Sequence, residues 1–250
     1  MSKIYIEPPS LERRYRKLAK LGAELGIPVT ECFLEVQVTM LGGKVIHHHK
    51  QRSHSWTRWA YNHLFMQICA KDADETTYGA GHLGMREIGG SGKGNAAPFS
   101  FGPAANAGGD SSLRTCEGTS YGLRAAGGTA NQGIVVGTGN TAESFEEYKL
   151  ATPIANGVGA GQMSYVLSEP MNESYNAGTK TKTNTLLRYI NNNSGGEITV
   201  AEVGLYGKME SDYQHSGTFI FSRDVLGPAV TVPNSGQLKI TYTISLVYPA

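Results

Sequence analysis

The sequence predicts a mainly β protein: an antiparallel β-sandwich of jelly-roll-like form, with two amphipathic helices near the N-terminus and a long glycine-rich loop region. Three observations support this fold class. From residue 133 onward, short runs of β-branched and aromatic residues alternate with turn residues. Before residue 71, two segments place apolar residues at helical spacing. Between these parts, the chain is rich in glycine, alanine, serine and asparagine and has no sustained period.

The chain divides into three regions that we expect to form one structural unit. Residues 1–78 supply a helix, a hairpin and an aromatic helix that pack on the β core, residues 79–132 form a glycine-rich extended arm or loops, and residues 133–250 form the sandwich. Three widely separated cysteines predict neither a disulfide framework nor a structural zinc site. Because residues 79–132 cannot bury much apolar surface alone, we expect other protein surface to order them.

The first helix and the hairpin have clear boundary signals. Ser10 is expected to cap the helix, and Gly26 and Pro28 are expected to end it. In the following FLEVQVTML segment, apolar and polar residues alternate until Gly42-Gly43, and KVI resumes the apolar run. Alternation on both sides of a glycine pair predicts a β-hairpin.

A second helix is predicted to follow the hairpin and to end near Ala70. Ser53 or Ser55 is expected to cap its N-terminus. Helical spacing places one set of mostly apolar residues on the side that we expect to pack on the β core. That set is Trp56, Trp59, Ala60, His63, Leu64 and Ile68.

Six strands are predicted after residue 133, and the last of them has the clearest pattern. They cover residues 134–136, 162–167, 183–190, 198–206, 218–226 and 238–248. In the last strand, apolar residues at even positions alternate with mostly polar residues at odd positions, which predicts one buried face. In residues 198–206 the apolar parity changes, which predicts a bulge near Ala201-Glu202.

Two motifs resemble enzyme signatures, but their contexts do not fit. Residues 118–122 match G-x-S-x-G with Ser120 as the nucleophile, yet no buried strand precedes them and a glycine-rich stretch follows. Residues 133–142 contain G-x-G-x-x-A after a short β run, but glutamates and a proline follow where a dinucleotide-binding turn needs a long helix. We therefore expect no enzyme activity and no cofactor. A hydrolase activity that Ser120→Ala abolishes would contradict this expectation.

The stretch VIHHHKQRSHSW contains four of the seven histidines. On a strand, His47 and His49 share one face and could bind a metal ion, with His54 or His63 as a third ligand. However, residues 36–71 contain no acidic side chain, and nearby cationic side chains would repel a metal ion. We expect a junction between strand and helix, with His47, His48 and His49 facing solvent or an adjacent subunit and no bound metal. A pH-sensitive contact with an acidic partner is the alternative.

Other candidate interface residues are basic or aromatic. The polar face of the first helix could contact an acidic neighbour or phosphate, although a solvated face is the simpler interpretation. A formal net charge of +1 makes nucleic acid an improbable partner. No run of eighteen apolar residues occurs, so we expect no membrane partner. The candidates are Arg13, Arg14, Arg16 and Lys17 in the helix and Phe99 and Phe101 in the glycine-rich region.

Several motifs resemble those of uncharacterised virion proteins of tailed bacteriophages. They are GTG-x-TA at residues 137–142 with Y-x-L at 148–150, ITV-x-EVGLY at 198–206, and RDVL with VTVP at 223–233. The upstream RSHSWTRWAYNHLF is also similar to a segment of that family. The resemblance covers residues 45–70 and 133–250 and implies no catalytic residue. It implies a non-enzymatic structural protein, made in the bacterial host cytoplasm and assembled in many copies. Its partners would be copies of itself and other virion proteins, on the head as a decoration or minor capsid protein, or in the tail.

A second hypothesis is a receptor- or carbohydrate-binding module of a tail fibre or baseplate. β-Sandwiches can present aromatic side chains to sugars, and the sandwich region contains several tyrosines. Binding of a host surface glycan would favour this hypothesis. The candidate tyrosines are Tyr165, Tyr175, Tyr189 and Tyr213.

Overall fold

The computed structural model describes residues 9–69, 77–93, 118–212 and 215–248, and it confirms a mainly β protein with two helices and antiparallel sheets. The helices are α1 (Pro9–Leu25) and α2 (Arg58–Cys69). The first six strands are β1 (Val29–Thr39), β2 (Val45–Arg52), β3 (Met85–Arg86), β4 (Gly92–Lys93), β5 (Gly133–Gly137) and β6 (Ser164–Tyr165). The others are β7 (Asn172–Asn176), β8 (Thr181–Asn191), β9 (Ile198–Asp212), β10 (His215–Val232) and β11 (Gln237–Val247).

Two antiparallel sheets enclose one hydrophobic core. The larger sheet has the order β2-β1-β11-β8-β6, and β7 also pairs with β8. The smaller sheet has the order β10-β9-β5. Alternating residues of β1 and β11, such as Leu34, Val36, Leu238 and Ile240, are fully buried. The strict alternation in the last predicted strand therefore marks the inner face of a central strand, as expected.

Strand β9 explains the change of apolar parity at residues 198–206. Every residue from 200 to 207 is buried, because both faces of this central strand are covered. The pairing of β9 with β10 changes register between Val200 and Glu202, where residues 226–229 are extra residues of β10. The irregularity thus lies where the sequence predicts a bulge, but the inserted residues belong to the partner strand.

The first helix and the hairpin form close to the predicted boundaries. Helix α1 begins at Pro9, so Ser10 lies inside the first turn and the prediction that it caps the helix is wrong. Proline suits a first helical position because its fixed φ is helical and it has no N–H to leave unpaired. Gly26 ends the helix with φ of +67°, and Gly42 and Gly43 turn the hairpin with φ of +95° and +84°.

Helix α2 differs from its prediction in both its cap and its buried face. It begins at Arg58, and the hydroxyls of Ser53 and Ser55 bond to other elements, so neither serine caps it. Trp59 and Ala60 are buried as predicted, but the predicted core residues Leu64 and Ile68 are 53% and 74% exposed. Asn62 and Met66 are buried instead.

The other predicted strands are confirmed, and two short elements were not predicted. Strand β7 was not expected because all five of its residues are exposed and show no apolar alternation. A short β3–β4 hairpin lies within the described part of residues 79–132. Phe99 and Phe101 lie outside the described residues. In the described part of the chain, no helix is long and apolar enough to span a bilayer.

Candidate functional site

A fully buried ion pair joins the two long strands of the smaller sheet. Arg223 of β10 donates from Nε to Glu202 Oε2 of β9 at 2.5 Å, and both side chains are 0% exposed. Arg223 also donates from Nη1 to Glu147 at 2.6 Å and from Nη2 to the carbonyl and hydroxyl oxygens of Thr141 at 3.1 Å. We call Arg223, Glu202, Glu147 and Thr141 the Arg223 cluster. It ties the loop 138–152 to the sheet.

Glu202 also accepts bonds from the backbone of that loop. The N–H groups of Gly139 and Thr152 donate to Oε1 at 3.2 and 2.7 Å, and that of Ala151 donates to Oε2 at 3.0 Å. A Cβ atom at position 139 would lie 2.7 Å from Glu202 Oε1, so only glycine fits there. The glycine motif that resembled a dinucleotide-binding turn therefore makes room for a carboxylate.

The motifs that carry the phage resemblance meet at this cluster. Thr141 comes from GTG-x-TA, Glu202 from ITV-x-EVGLY and Arg223 from RDVL. The backbone N–H of Leu150, in Y-x-L, donates to the hydroxyl of Tyr206, in EVGLY, at 2.7 Å. These residues are far apart in sequence, and their polar groups bond to each other inside the protein. Within the folded chain these motifs therefore contribute to one buried network of hydrogen bonds.

Asp224 forms a second buried cluster beside the first. Its Oδ2 accepts hydrogen bonds from Ser53, Ser222 and Tyr242 at 2.8, 2.7 and 2.8 Å. Burial raises the pKa of Asp224 to about 6. Burial also raises the pKa of the nearby Cys32 thiol to about 12, so this cysteine is a poor nucleophile at neutral pH. The cluster joins β2, β10 and β11.

Asp224 predicts a pH dependence of stability with a definite sign. Its pKa is about 6 when folded and ordinarily 3.8, so between these values the folded state retains a proton that the unfolded state has lost. The stability that this proton gives to the folded state is fully present below about pH 4 and is lost as the pH rises through about 6. We expect Asp224→Asn, which cannot ionise, to gain up to about 3 kcal/mol over wild type between about pH 4 and pH 7.

Urea unfolding of both proteins across this range tests the Asp224 prediction. Burial lowers the pKa values of His47 and His49, so these two histidines make the folded protein more stable as the pH rises. Their contribution is the same in both proteins, so it cancels when the two unfolding free energies are subtracted. A difference in unfolding free energy that stays constant with pH would contradict the prediction.

Arg188 is a buried cation that bonds to backbone carbonyls. It is 0% exposed, and its guanidinium lies 4.9 Å from the centre of the Tyr165 ring. Burial lowers its pKa to about 10. This side chain of β8 holds the loop 124–132, the start of β5, and Val166 after β6 against the larger sheet. It donates five hydrogen bonds of 2.7 to 3.1 Å, to the carbonyls of Ala126, Thr129, Gln132, Ile134 and Val166.

The histidine stretch lies mostly in β2, at the edge of the larger sheet. His47 and His49 share a face, with ring centres 6.3 Å apart, as predicted. However, His49 is 1% exposed and bonds to Gln51 at 2.7 Å, so the prediction that all three histidines face solvent or a neighbour is wrong for His49. His48 bonds to Glu35 at 2.7 Å, a carboxylate supplied by the neighbouring strand β1. Among the described residues, no group of three or more His, Cys, Asp or Glu side chains is arranged to hold a metal ion.

A groove lies between α1 and α2, with a cavity of about 530 Å³. Tyr15 and Leu18 of α1 form one wall, and Tyr61 and Leu64 of α2 form the other. Both helices also expose apolar residues, and three of these line the cavity: Leu18, Tyr61 and Leu64. We call the exposed apolar residues of the two helices the groove face: Leu18, Leu21 and Leu25 of α1 and Tyr61, Leu64, Phe65 and Ile68 of α2, each 49–74% exposed. Exposed apolar residues grouped beside a cavity are typical of a binding site.

Arg52 connects α1 to the sheet at the edge of the groove. Its guanidinium lies over the rings of Tyr15 and Phe33, at 4.3 and 4.6 Å from their centres. It also donates to Glu12 of α1 and Glu31 of β1, both at 2.9 Å. This role of Arg52 was not predicted, because its partners Glu12 and Glu31 lie on other elements and are distant in sequence.

The predicted basic interface residues lie on α1, beside the groove face. Arg13, Arg14, Arg16 and Lys17 are all exposed. Arg16 bonds to Glu12 at 3.3 Å, and within the described ranges Arg13, Arg14 and Lys17 form no ion pair. Helical spacing puts Arg14 and Lys17 next to the apolar residues four positions later. Of the predicted basic residues, Arg14 and Lys17 thus border the groove face.

The remaining candidate site residues, Ser120 and the four tyrosines, do not form one site among the described residues. Ser120 lies in an exposed bend, and no helix follows it in the described part of the chain. Tyr165 is 3% exposed and donates to the carbonyl of Ile154, so it cannot contact a sugar. Tyr189 is partly buried, Tyr175 is exposed, and Tyr213 lies outside the described residues.

Comparison with protein-family models, with curated proteins and with solved structures finds no match for this chain.

Proposed function

We propose that this protein is a non-enzymatic structural subunit of a tailed bacteriophage particle. It assembles in many copies on the head, as a decoration or minor capsid protein, or in the tail. The groove face is the observation that carries this proposal, because exposed apolar residues of two helices meet at one cavity, and such surfaces commonly bind another protein. Covering that surface with another particle protein would remove it from water. The protein's location is then the virion, after synthesis in the host cytoplasm.

The proposal also rests on the phage resemblance. The motifs that carry it come from four separate segments and bond to each other in the folded chain. A jelly-roll-like arrangement of the two sheets belongs to the same proposal.

Mass spectrometry of purified particles of the phage that encodes this chain tests the proposed function. We expect the protein in many copies per particle, in a fixed ratio to the major capsid or tail-tube protein. The matched sample is the lysate fraction from which particles have been removed. Recovery of the chain in that fraction alone would contradict the proposal.

One structural feature favours the alternative of a carbohydrate-binding module. Tyr175 and Tyr248 are 54% and 44% exposed, and their ring centres lie 6.3 Å apart at the edge of the larger sheet. Aromatic pairs of this kind can stack on sugar rings. Retention of the full chain on host surface glycan, lost in Tyr175→Ala, would favour this alternative.

A further inference from the structure

We propose that the groove between α1 and α2 binds an amphipathic segment of another protein of the particle. The bound segment places apolar side chains in the groove and acidic side chains along the edge formed by α1. This inference rests on the proposed function and adds the chemistry of the partner.

The apolar part of the proposal follows from the shape of the surface. Leu18 on one helix and Leu64 on the other line the same cavity, and Trp56 and Phe221 lie deeper in its lining. The volume of about 530 Å³ is in the range of sites that enclose a bound group. Interfaces commonly place an apolar anchor from one partner in such a pocket on the other. A flat lipid surface would not fill a concave site, so a segment with protruding side chains fits it better.

The acidic part follows from the charges beside the groove. Helix α1 contains five cationic residues and two carboxylates, and one of these, Glu12, already bonds to Arg52 and Arg16. Arg14 and Lys17 flank Leu18 and Leu21 by helical spacing and form no ion pair within the described residues. Helix α2 contains no acidic residue. The face is therefore positive where the partner must lie.

The same charges disfavour a second copy of this chain as the occupant. In a symmetric dimer through the groove face, the cationic residues of each α1 would face α1 or α2 of the other copy. Helix α2 has no acidic residue, and the two carboxylates of α1 already pair with Arg16, Arg52 and Lys20. Like charges at an interface oppose association, whereas opposite charges favour it and select the partner. A different protein with acidic residues meets both the apolar and the electrostatic requirement.

Two designed peptides test this inference on the full chain. Both have about 14 residues, roughly four helical turns, with leucines at helical spacing on one side. One has glutamate at the other positions, and the second has lysine. Titration calorimetry measures binding, and the tryptophan fluorescence of a Trp59→Phe background, which leaves only Trp56, reports entry into the cavity. We expect the glutamate peptide to bind at least about tenfold more tightly than the lysine peptide, with a preference that decreases as salt is added.

Matched variants locate the binding surface. Leu64→Asp, in the groove, is compared with Leu41→Asp at the exposed hairpin tip. Arg14→Glu is compared with Lys20→Glu, which makes the same charge change about 120° around α1 from Arg14, at a side chain that is also exposed. We expect the groove variants to weaken binding of the glutamate peptide by at least about tenfold and the controls to leave it within about threefold. Circular dichroism checks that each variant remains folded.

Three results would overturn the inference. The first is equal binding, or no binding, of the two peptides. The second is a dimer in sedimentation that Leu64→Asp dissociates, because the occupant would then be a second copy. The third is binding to vesicles of equal parts phosphatidylglycerol and phosphatidylcholine that needs Leu64 while the peptides do not bind. None of these results depends on the particle measurement, so the proposed function can stand if the peptide inference fails.

Discussion

Replacing Arg223 by methionine is expected to lower the free energy of unfolding by about 3–5 kcal/mol at neutral pH. The substitution keeps much of the side-chain volume but leaves Glu202 charged, without its cation and 0% exposed. It also leaves Glu147 and the carbonyl of Thr141 without a donor that they have in the folded protein. Equilibrium unfolding in urea measures the loss.

A double variant separates the stability lost with the hydrogen bonds from the stability lost by leaving a buried charge unpaired. Glu202→Gln keeps a side-chain oxygen for backbone N–H groups of the loop but removes the charge. Added to Arg223→Met, it should recover part of the stability, with a coupling energy of about 0.5–3 kcal/mol. Arg58→Met is the control, since Arg58 pairs with the half-exposed Glu146 and should cost less than about 1 kcal/mol. Equal losses for Arg223→Met and Arg58→Met would show that the Arg223 cluster does not hold the fold.

Replacing Arg188 by methionine is expected to cost at least about 3 kcal/mol, because five backbone carbonyls lose a donor at once. The loss should be greatest in the loop 124–132, which packs on this guanidinium. Hydrogen exchange at Gly128, whose N–H donates to the carbonyl of Tyr165, should become much faster than in the wild-type protein.

Arg124→Met is the matched control for Arg188→Met. Arg124 also donates to backbone carbonyls, those of Ser168 and Glu169, but it lies nearer the surface, where water can replace it. Its loss should cost less than about 1 kcal/mol. If the two variants lost the same stability, or if exchange at Gly128 were unchanged in Arg188→Met, our account of Arg188 would be wrong.

One of the buried charges could have been predicted from strand parity. Arg188 has the parity of Leu186 and Ile190, which are both buried. It therefore points inward with its apolar neighbours. A charge at an inward position is costly unless it is bonded, so it signals a buried network. The partners themselves could not be predicted, because they come from loops such as 124–132 that have no periodic pattern.

The periodic parts of the fold were predictable, and the covered side of α2 was not. Alternation identified β1 and β11, and Gly42-Gly43 identified the hairpin, because these signals depend on local geometry. In α2, apolar residues occur on more than one side of the helix, and helical spacing does not show which side meets the sheet. The result is that Leu64 and Ile68, expected in the core, became part of the groove face.

The histidine stretch shows a related limit. The sequence near His48 contains no acidic residue, yet Glu35 is brought to it by the adjacent strand. Sequence proximity does not describe cross-strand neighbours, which depend on the register of the hairpin. The same register turns His49 inward and leaves it bonded to Gln51.

Electron cryomicroscopy of the intact particle tests the central claim most directly, because it shows both where the chain lies and what contacts its groove face. The account predicts many ordered copies on the head or tail, each with a segment of a different protein lying over Leu18 and Leu64. A particle in which this face is open to solvent in every copy, or a particle without the chain, would contradict it.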